Sequence, residues 1–192
     1  MRLFWVGILA LYSPLLLAEA DPPRADAQIQ ASGQAYNGQL MLNQAAGNGI
    51  QQANGRTIAL GTGTQATVEL EQRRGAIPSK AMDISASARI RGAAFSQGRG
   101  VLGINQSAGT GNQSSNGFRL VWGTLPDPLE DSMLSHNAAP LTNSEAAVPH
   151  RGERLVETDD QAFAASRGVV QLNQSAGIGN YSANRLSIRV VE

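Results

Sequence analysis

The chain has 192 residues, a formal net charge of zero and no cysteine. Zero net charge argues against an electrostatic nucleic-acid binder, which needs a basic face. The missing thiols exclude a disulfide framework and thiolate chemistry. The length allows one domain or two small ones.

In chain order, residues 1–20 read as a secretory signal peptide. Arg2 supplies the positive start, Leu3 to Leu17 is an apolar run, and Ala18-Glu19-Ala20 is a cleavage site of the A-x-A type. The run falls short of the ~20 residues a membrane span needs. The expected mature chain starts at Asp21, carries no span, and resides in the periplasm or outside the cell. Without disulfides it must be stabilised by backbone pairing, packing or assembly.

Residues 21–37 carry a Pro pair and read as a flexible lead. Residues 38–60 form a first unit. Leu40 and Leu42 alternate with Gln39 and Met41, the spacing of a strand. Asn43 to Asn54 then holds two glycines among amide residues, a turn composition. Alternation resumes through Ile58 and Leu60. Residues 61–99 read as a β-rich linker, with alternation over Thr64–Glu71 and Asp83–Ile90 and breaks at Gly75 and Pro78. A helix is the alternative for the Ala-rich second stretch, and Gly92 with the neighbouring strand patterns favours strand.

Residues 100–122 repeat the first unit. Residues 123–160 differ: they contain four prolines, both histidines, and eight acids against two arginines. This composition predicts a disordered acidic linker, with a short helix around Asp127 to Ser135 as a local alternative. Residues 161–192 hold the third unit. The match between units two and three extends upstream, since Ala94-Phe95 and Arg99-Gly100 correspond to Ala162-Phe163 and Arg167-Gly168. Copy one has Gly33 and Asn37 at the Phe and Arg positions.

The three copies align without a gap. Asn43, Asn105 and Asn173 correspond, as do Gln44, Gln106 and Gln174. Gly47, Gly109 and Gly177 form one glycine position, and Gly49, Gly111 and Gly179 another. Asn54, Asn116 and Asn184 close the pattern. Such periodicity marks a repeat architecture. Asn, Gln and Gly are poor acids, bases and nucleophiles, so no catalytic, cofactor-binding or metal-binding residue is assigned. These side chains suit stacking instead, because identical amides in adjacent layers bond along the stack. A single unit has too few large apolar side chains to offset the entropy of ordering it. The expected fold is all-β: stacked β-arc repeats, as a β-solenoid or a cross-β-like sheet, with a disordered acidic linker. No sequence after copy three reads as a cap, so the outer strands are expected to be templates for further pairing.

Leu42-Asn-Gln-Ala-Ala-Gly-Asn-Gly-Ile-Gln-Gln-Ala-Asn54 resembles the repeats of secreted functional amyloids of Gram-negative bacteria. The closer similarity is to the Fap fibre proteins of pseudomonads, whose repeats follow Asn-x-Ala-Ala-Gly-x-x-Asn-x-Gln-x-Asn patterns. Curli repeats are more loosely similar. The resemblance implies a structural or assembly role in biofilm matrix or adhesion. It implies as partners the protein itself or related fibre subunits, together with an outer-membrane exporter. Main fibre subunits of that family carry a Cys-x-x-Cys that this chain lacks. Copy one also has Ile50 where the others have Asn112 and Asn180. Both departures suit a minor subunit, nucleator or accessory factor better than the principal subunit.

Two other functions compete. A periplasmic chaperone would hold fibre subunits before export, with the acidic linker as a solubilising guard. A β-solenoid enzyme acting on polysaccharide would need paired carboxylates on a rigid layer, and here the acids concentrate in the linker. His136 and His150 lie fourteen apart in that linker, too dispersed for a typical metal cluster.

Overall fold

A computed structural model describes residues 21–62, 66–73, 83–123, 134–138 (backbone only) and 152–191. The eleven strands are β1 (Arg24–Gln30), β2 (Asn37–Asn48), β3 (Gln51–Leu60), β4 (Val68–Gln72), β5 (Ser85–Arg91), β6 (Arg99–Thr110), β7 (Gln113–Gly123), β8 (Leu134–Ala138), β9 (Arg154–Thr158), β10 (Arg167–Ile178) and β11 (Tyr181–Val191). The described residues contain no helix. None of them is therefore in a helix long and apolar enough to cross a membrane.

Every pairing is parallel, and each open sheet draws its strands from successive parts of the chain. Sheet one is β1-β5-β9, sheet two β2-β6-β10, sheet three β3-β7-β11, and sheet four β4-β8. In each three-stranded sheet the second strand in chain order is in the middle. The pairing register equals the alignment of the sequence copies: Asn43 lies opposite Asn105 and Asn105 opposite Asn173, while Asn54, Asn116 and Asn184 line up in sheet three.

Strand alternation decides what lies between the layers. On β6, Leu102, Ile104, Gln106 and Ala108 face sheet one. Leu102 and Ile104 are fully buried with Ile29, Ile90 and Phe95, and Leu40, Leu42 and Leu172 pack around them. Ala108 joins a second cluster of Ala25, Ala27, Ala86 and Ala88. Small residues there let sheets one and two approach closely. The opposite face of β6 meets sheet three through Asn105 and Ser107, which bond to Asn116 and Ser114. On the far side of sheet three, Gly55 leaves room for Val68 and Leu70 of β4; a Cβ there would sit 2.6 Å from Val68 Cγ1.

Three expectations need correction. The lead at 21–37 contains a strand, β1, because Ala25, Ala27 and Ile29 alternate with polar residues and each is at most 5% exposed. The segment expected to be a disordered acidic linker contains β8 and β9. β9 is held by charge as well as pairing, since Glu157 meets Arg91 at 3.0 Å and Arg89 at 3.5 Å on the neighbouring strand. Residues 134 and 135, the end of the alternative helix, begin β8. The Ala-rich stretch at 85–91 is a strand, the favoured of its two readings. Residues 1–20, 124–133 and 139–151 lie outside the described residues, and with them the signal peptide, most of the linker and His150. Only the backbone of His136 is described.

The corners between sheets one and two stack as well. Gly33, Phe95 and Phe163 all adopt positive φ, as do Ala35, Gln97 and Ala165. Phe95 and Phe163 stack with centroids 5.6 Å apart. The missing Phe of copy one has a steric reason, because a Cβ on Gly33 would lie 2.6 Å from the Phe95 ring. Copy one supplies Tyr36 instead, whose ring lies over Gly98; a Cβ there would be 1.8 Å from Tyr36 Cε1.

Candidate functional site

The fifteen residues singled out by the repeat come together as ladders and glycine columns through the middle of the molecule. Adjacent Asn and Gln on one strand point to opposite faces, so each copy feeds two ladders. Between sheets one and two, Gln106 Nε2 donates to Gln44 Oε1 at 2.8 Å, and Gln174 Nε2 to Gln106 Oε1 at 2.8 Å. The same amides bond sheet one: Gln106 donates to the carbonyls of Ala27 (3.0 Å) and Arg89 (2.9 Å), and Gln174 to those of Ala88 (3.0 Å) and Glu157 (2.9 Å). The ladder thus ties two sheets and three copies with one side chain per layer.

Between sheets two and three the ladder is double. Asn105 Nδ2 donates to Asn43 Oδ1 at 2.9 Å, and Asn173 Nδ2 to Asn105 Oδ1 at 2.9 Å. Asn116 Nδ2 donates to Asn54 Oδ1 at 3.0 Å, and Asn184 Nδ2 to Asn116 Oδ1 at 3.2 Å. Within each copy the two uprights are joined: Asn54 to Asn43 at 2.7 Å, Asn116 to Asn105 at 3.1 Å, Asn184 to Asn173 at 3.0 Å. Backbone carbonyls complete the set, including Ala53 and Ser115 as acceptors for Asn105 and Asn173. Asn105 and Gln106 are completely buried. Buried amides of this kind cost free energy unless paired, and these are paired on every side. In these ladders the amide-to-amide bonds between copies run one way, with copy three donating to copy two and copy two to copy one.

The two glycine columns act differently. Gly47, Gly109 and Gly177 have φ of 116°, 114° and 117°. A Cβ on Gly47 would sit 1.9 Å from the carbonyl oxygen of Gly109, and one on Gly109 equally close to that of Gly177. No side chain fits between the layers there. Gly49, Gly111 and Gly179 sit at the reversal with φ of 63°, 65° and 67°, the left-handed region that Gly adopts freely and Asn tolerates. A Cβ on Gly49 meets only Gly111 atoms at 3.9 Å. The first column is a matter of space, the second of conformation.

Sequence reasoning missed further members. Asn180 donates to Asn112 Oδ1 at 3.2 Å, and Asn112 to the carbonyls of Ala108 (2.9 Å) and Gly177 (3.2 Å). Gln113 donates to Gln51 at 3.0 Å, and Ser107 shares a 2.9 Å bond with Ser175. Each of these pairs occupies two copies only, so a rule of identity in all three passes over them. Arg56 also enters the interior. It donates to the carbonyls of Leu40 and Val101, each at 3.1 Å, and burial lowers its pKa from the usual arginine value. It leans toward Gly103, where a Cβ would lie 3.1 Å from Nη2.

Chemically this is a recognition array for its own kind. It offers amide donors on one side, amide acceptors on the other, and no group suited to proton transfer. Among the described residues no three His, Cys, Asp or Glu side chains gather as metal ligands. No solved structure matches the chain. The model of the functional amyloid protein FapB/FapC family matches residues 16–191. With nearly its whole length covered and with amide ladders in register through three copies, the chain belongs to the functional amyloid protein FapB/FapC family.

Proposed function

We propose that the protein is an exported structural or assembly component of a bacterial functional amyloid, a minor subunit or nucleator that supports biofilm and adhesion. Its three repeats are layers of a β-arc solenoid, and it acts by adding those layers to like layers. The observation that carries this reading is the ladder arrangement: side chains and backbone bond to the next copy in the same register, and β2 and β10 end the stack as edge strands. An edge strand presents unpaired backbone groups to another chain, and parallel strand addition is an established recognition mode. The repeat boundaries at 38–60, 100–122 and 161–192 are then the stacking units, and the fifteen amide and glycine positions are the assembly positions. Partners are the protein itself and related fibre subunits, with residues 1–20 directing export and an outer-membrane exporter completing it. Purified protein should form cross-β fibres or accelerate those of a related subunit. A protein that stays monomeric and leaves a related subunit's fibre growth unchanged refutes the proposal.

A further inference from the structure

The two ends of the stack differ in what they present. Among the described residues, the copy-one end is bare. The point a Cβ on Gly38 would occupy has no atom within 4 Å, whereas the same point on Gly100 lies 2.0 Å from the Gly38 carbonyl oxygen. Gln44 donates to the Gln28 carbonyl (2.8 Å), while Gln106 and Gln174 each donate also to the preceding copy. Among the described residues, copy one therefore ends in amide donors with no layer before them.

The copy-three end is covered. In sheet one the inward-facing positions opposite one another are Ala25, Ala86 and Arg154, and further on Ile29, Ile90 and Thr158. The first two of each column are buried core residues. Copy three has replaced both. Arg154 lies across Gly177: its Cδ and Nε are 2.9 and 3.1 Å from the point a Cβ on Gly177 would take. In the lower copies the glycine carbonyl of the next layer lies 1.9 Å from that point. Thr158 Oγ1 donates to Gln174 Oε1 at 2.8 Å, the acceptor that the next Gln in the ladder would use. Two substitutions from different columns thus occupy the steric place and the hydrogen-bonding place of a fourth layer. Inward-pointing charge is a recognised way of blunting a sheet edge.

We infer that the stack has a docking end and a guarded end. The copy-one edge docks onto the terminal layer of a fibre subunit whose residue in the Arg154 column is small, as Ala25 and Ala86 are here. That layer must offer amide oxygens to Gln44 and Asn43. The copy-three edge is obstructed by Arg154 and Thr158, so a layer adds there more slowly than at the copy-one edge. A further layer can add there only by burying the guanidinium in a column of alanines. This inference rests on the stacking reading and gives it a direction.

The test compares elongation of wild type, R154A, R154K and R99A, followed by thioflavin fluorescence and electron microscopy. Alanine is the native residue of that column in copies one and two, so R154A should fold. R99A removes one charge from an exposed position of copy two and controls for charge alone. R154A should elongate faster by about tenfold or more, since an uncompensated buried charge opposes each addition in the wild type. R154K and R99A should stay near the wild-type rate. Wild-type protein added at about one part in twenty to elongating R154A should slow it out of proportion to its share, because each wild-type chain that docks leaves an obstructed edge at the growing end. Equal rates for wild type and R154A, or acceleration by R99A to the same extent, overturn the guard and leave stacking intact. Fibres from none of the four proteins overturn stacking and the guard together.

Discussion

Asn105 sits at the crossing of the ladders, and its replacement tests them directly. It donates to Asn43, Asn54 and the Ala53 carbonyl, and accepts from Asn116 and Asn173. The amide has two N–H groups for its three acceptors, so with two accepted bonds the count is four; at about 0.5–1.5 kcal/mol net each they set a span of roughly 2–6 kcal/mol. Asn116 and Asn173 keep other partners, which places Asn105→Ala near the lower end, about 3 kcal/mol. That is a large share of the ~5–15 kcal/mol of a typical domain. Asn184→Ala, at the outer copy with two N–H donors shared among three acceptors, should cost about half as much. Asn105→Asp keeps the shape but places a carboxylate against the Ala53 carbonyl at a fully buried position. Burial raises its folded-state pKa above the unfolded value of ~3.9. Between those two values the folded state holds the extra proton, so stability falls as pH rises through that window. Urea unfolding followed by circular dichroism at pH 4 and pH 7 reads all three variants. Asn105→Asp should be markedly more stable at pH 4 than at pH 7 relative to wild type, and Asn105→Ala should show no such gain. If Asn105→Ala unfolds within 0.5 kcal/mol of wild type, a typical surface effect, the ladder is not what holds the copies together.

The glycine columns give a second contrast. Gly47→Ala forces a Cβ against the Gly109 carbonyl oxygen and should cost several kcal/mol or abolish the fold, whereas Gly49→Asn, two residues on, should stay within about 1 kcal/mol because Asn tolerates the left-handed region; thermal melts separate the two. Phe95→Ala removes a ring that is 1% exposed and stacked on Phe163, and should lose about 3–5 kcal/mol by denaturant unfolding, with Phe163→Ala on the outer copy losing less. Gly98→Val, at a backbone whose nearest neighbour is the Tyr36 ring, should expel that ring and raise the intrinsic fluorescence response of Tyr36 to quenchers.

The stacking layer was legible because identity in sequence and identity in register are the same fact here. A parallel stack puts like over like, so every position that must bond to its own copy appears as a repeat. Asn43, Asn105 and Asn173 could be found that way, and so could both glycine columns. Residues that pair with something unlike themselves could not. Arg154 and Thr158 stand in columns of Ala and Ile, and Gly33 stands under Phe95, so each reads as divergence until the layers are set side by side. β1 escaped notice for a different reason. Its buried side chains are mostly alanines beside a Pro pair, which carry a weak hydrophobic signal, and their burial depends on β5 some 60 residues away. β9 was hidden by its charge, because Glu157 looks like a solvated acid until Arg89 and Arg91 lie beside it.

The measurement that meets the central claim most directly is X-ray diffraction from aligned fibres of the protein. Stacked layers predict a strong meridional reflection near 4.7–4.8 Å, and three layers per molecule predict a further axial repeat at about 14 Å, three rises of ~4.8 Å. Fibres without the first reflection are not built by strand addition. Fibres with it but with an axial repeat other than three layers would contradict the claim that one chain supplies three consecutive layers of the stack.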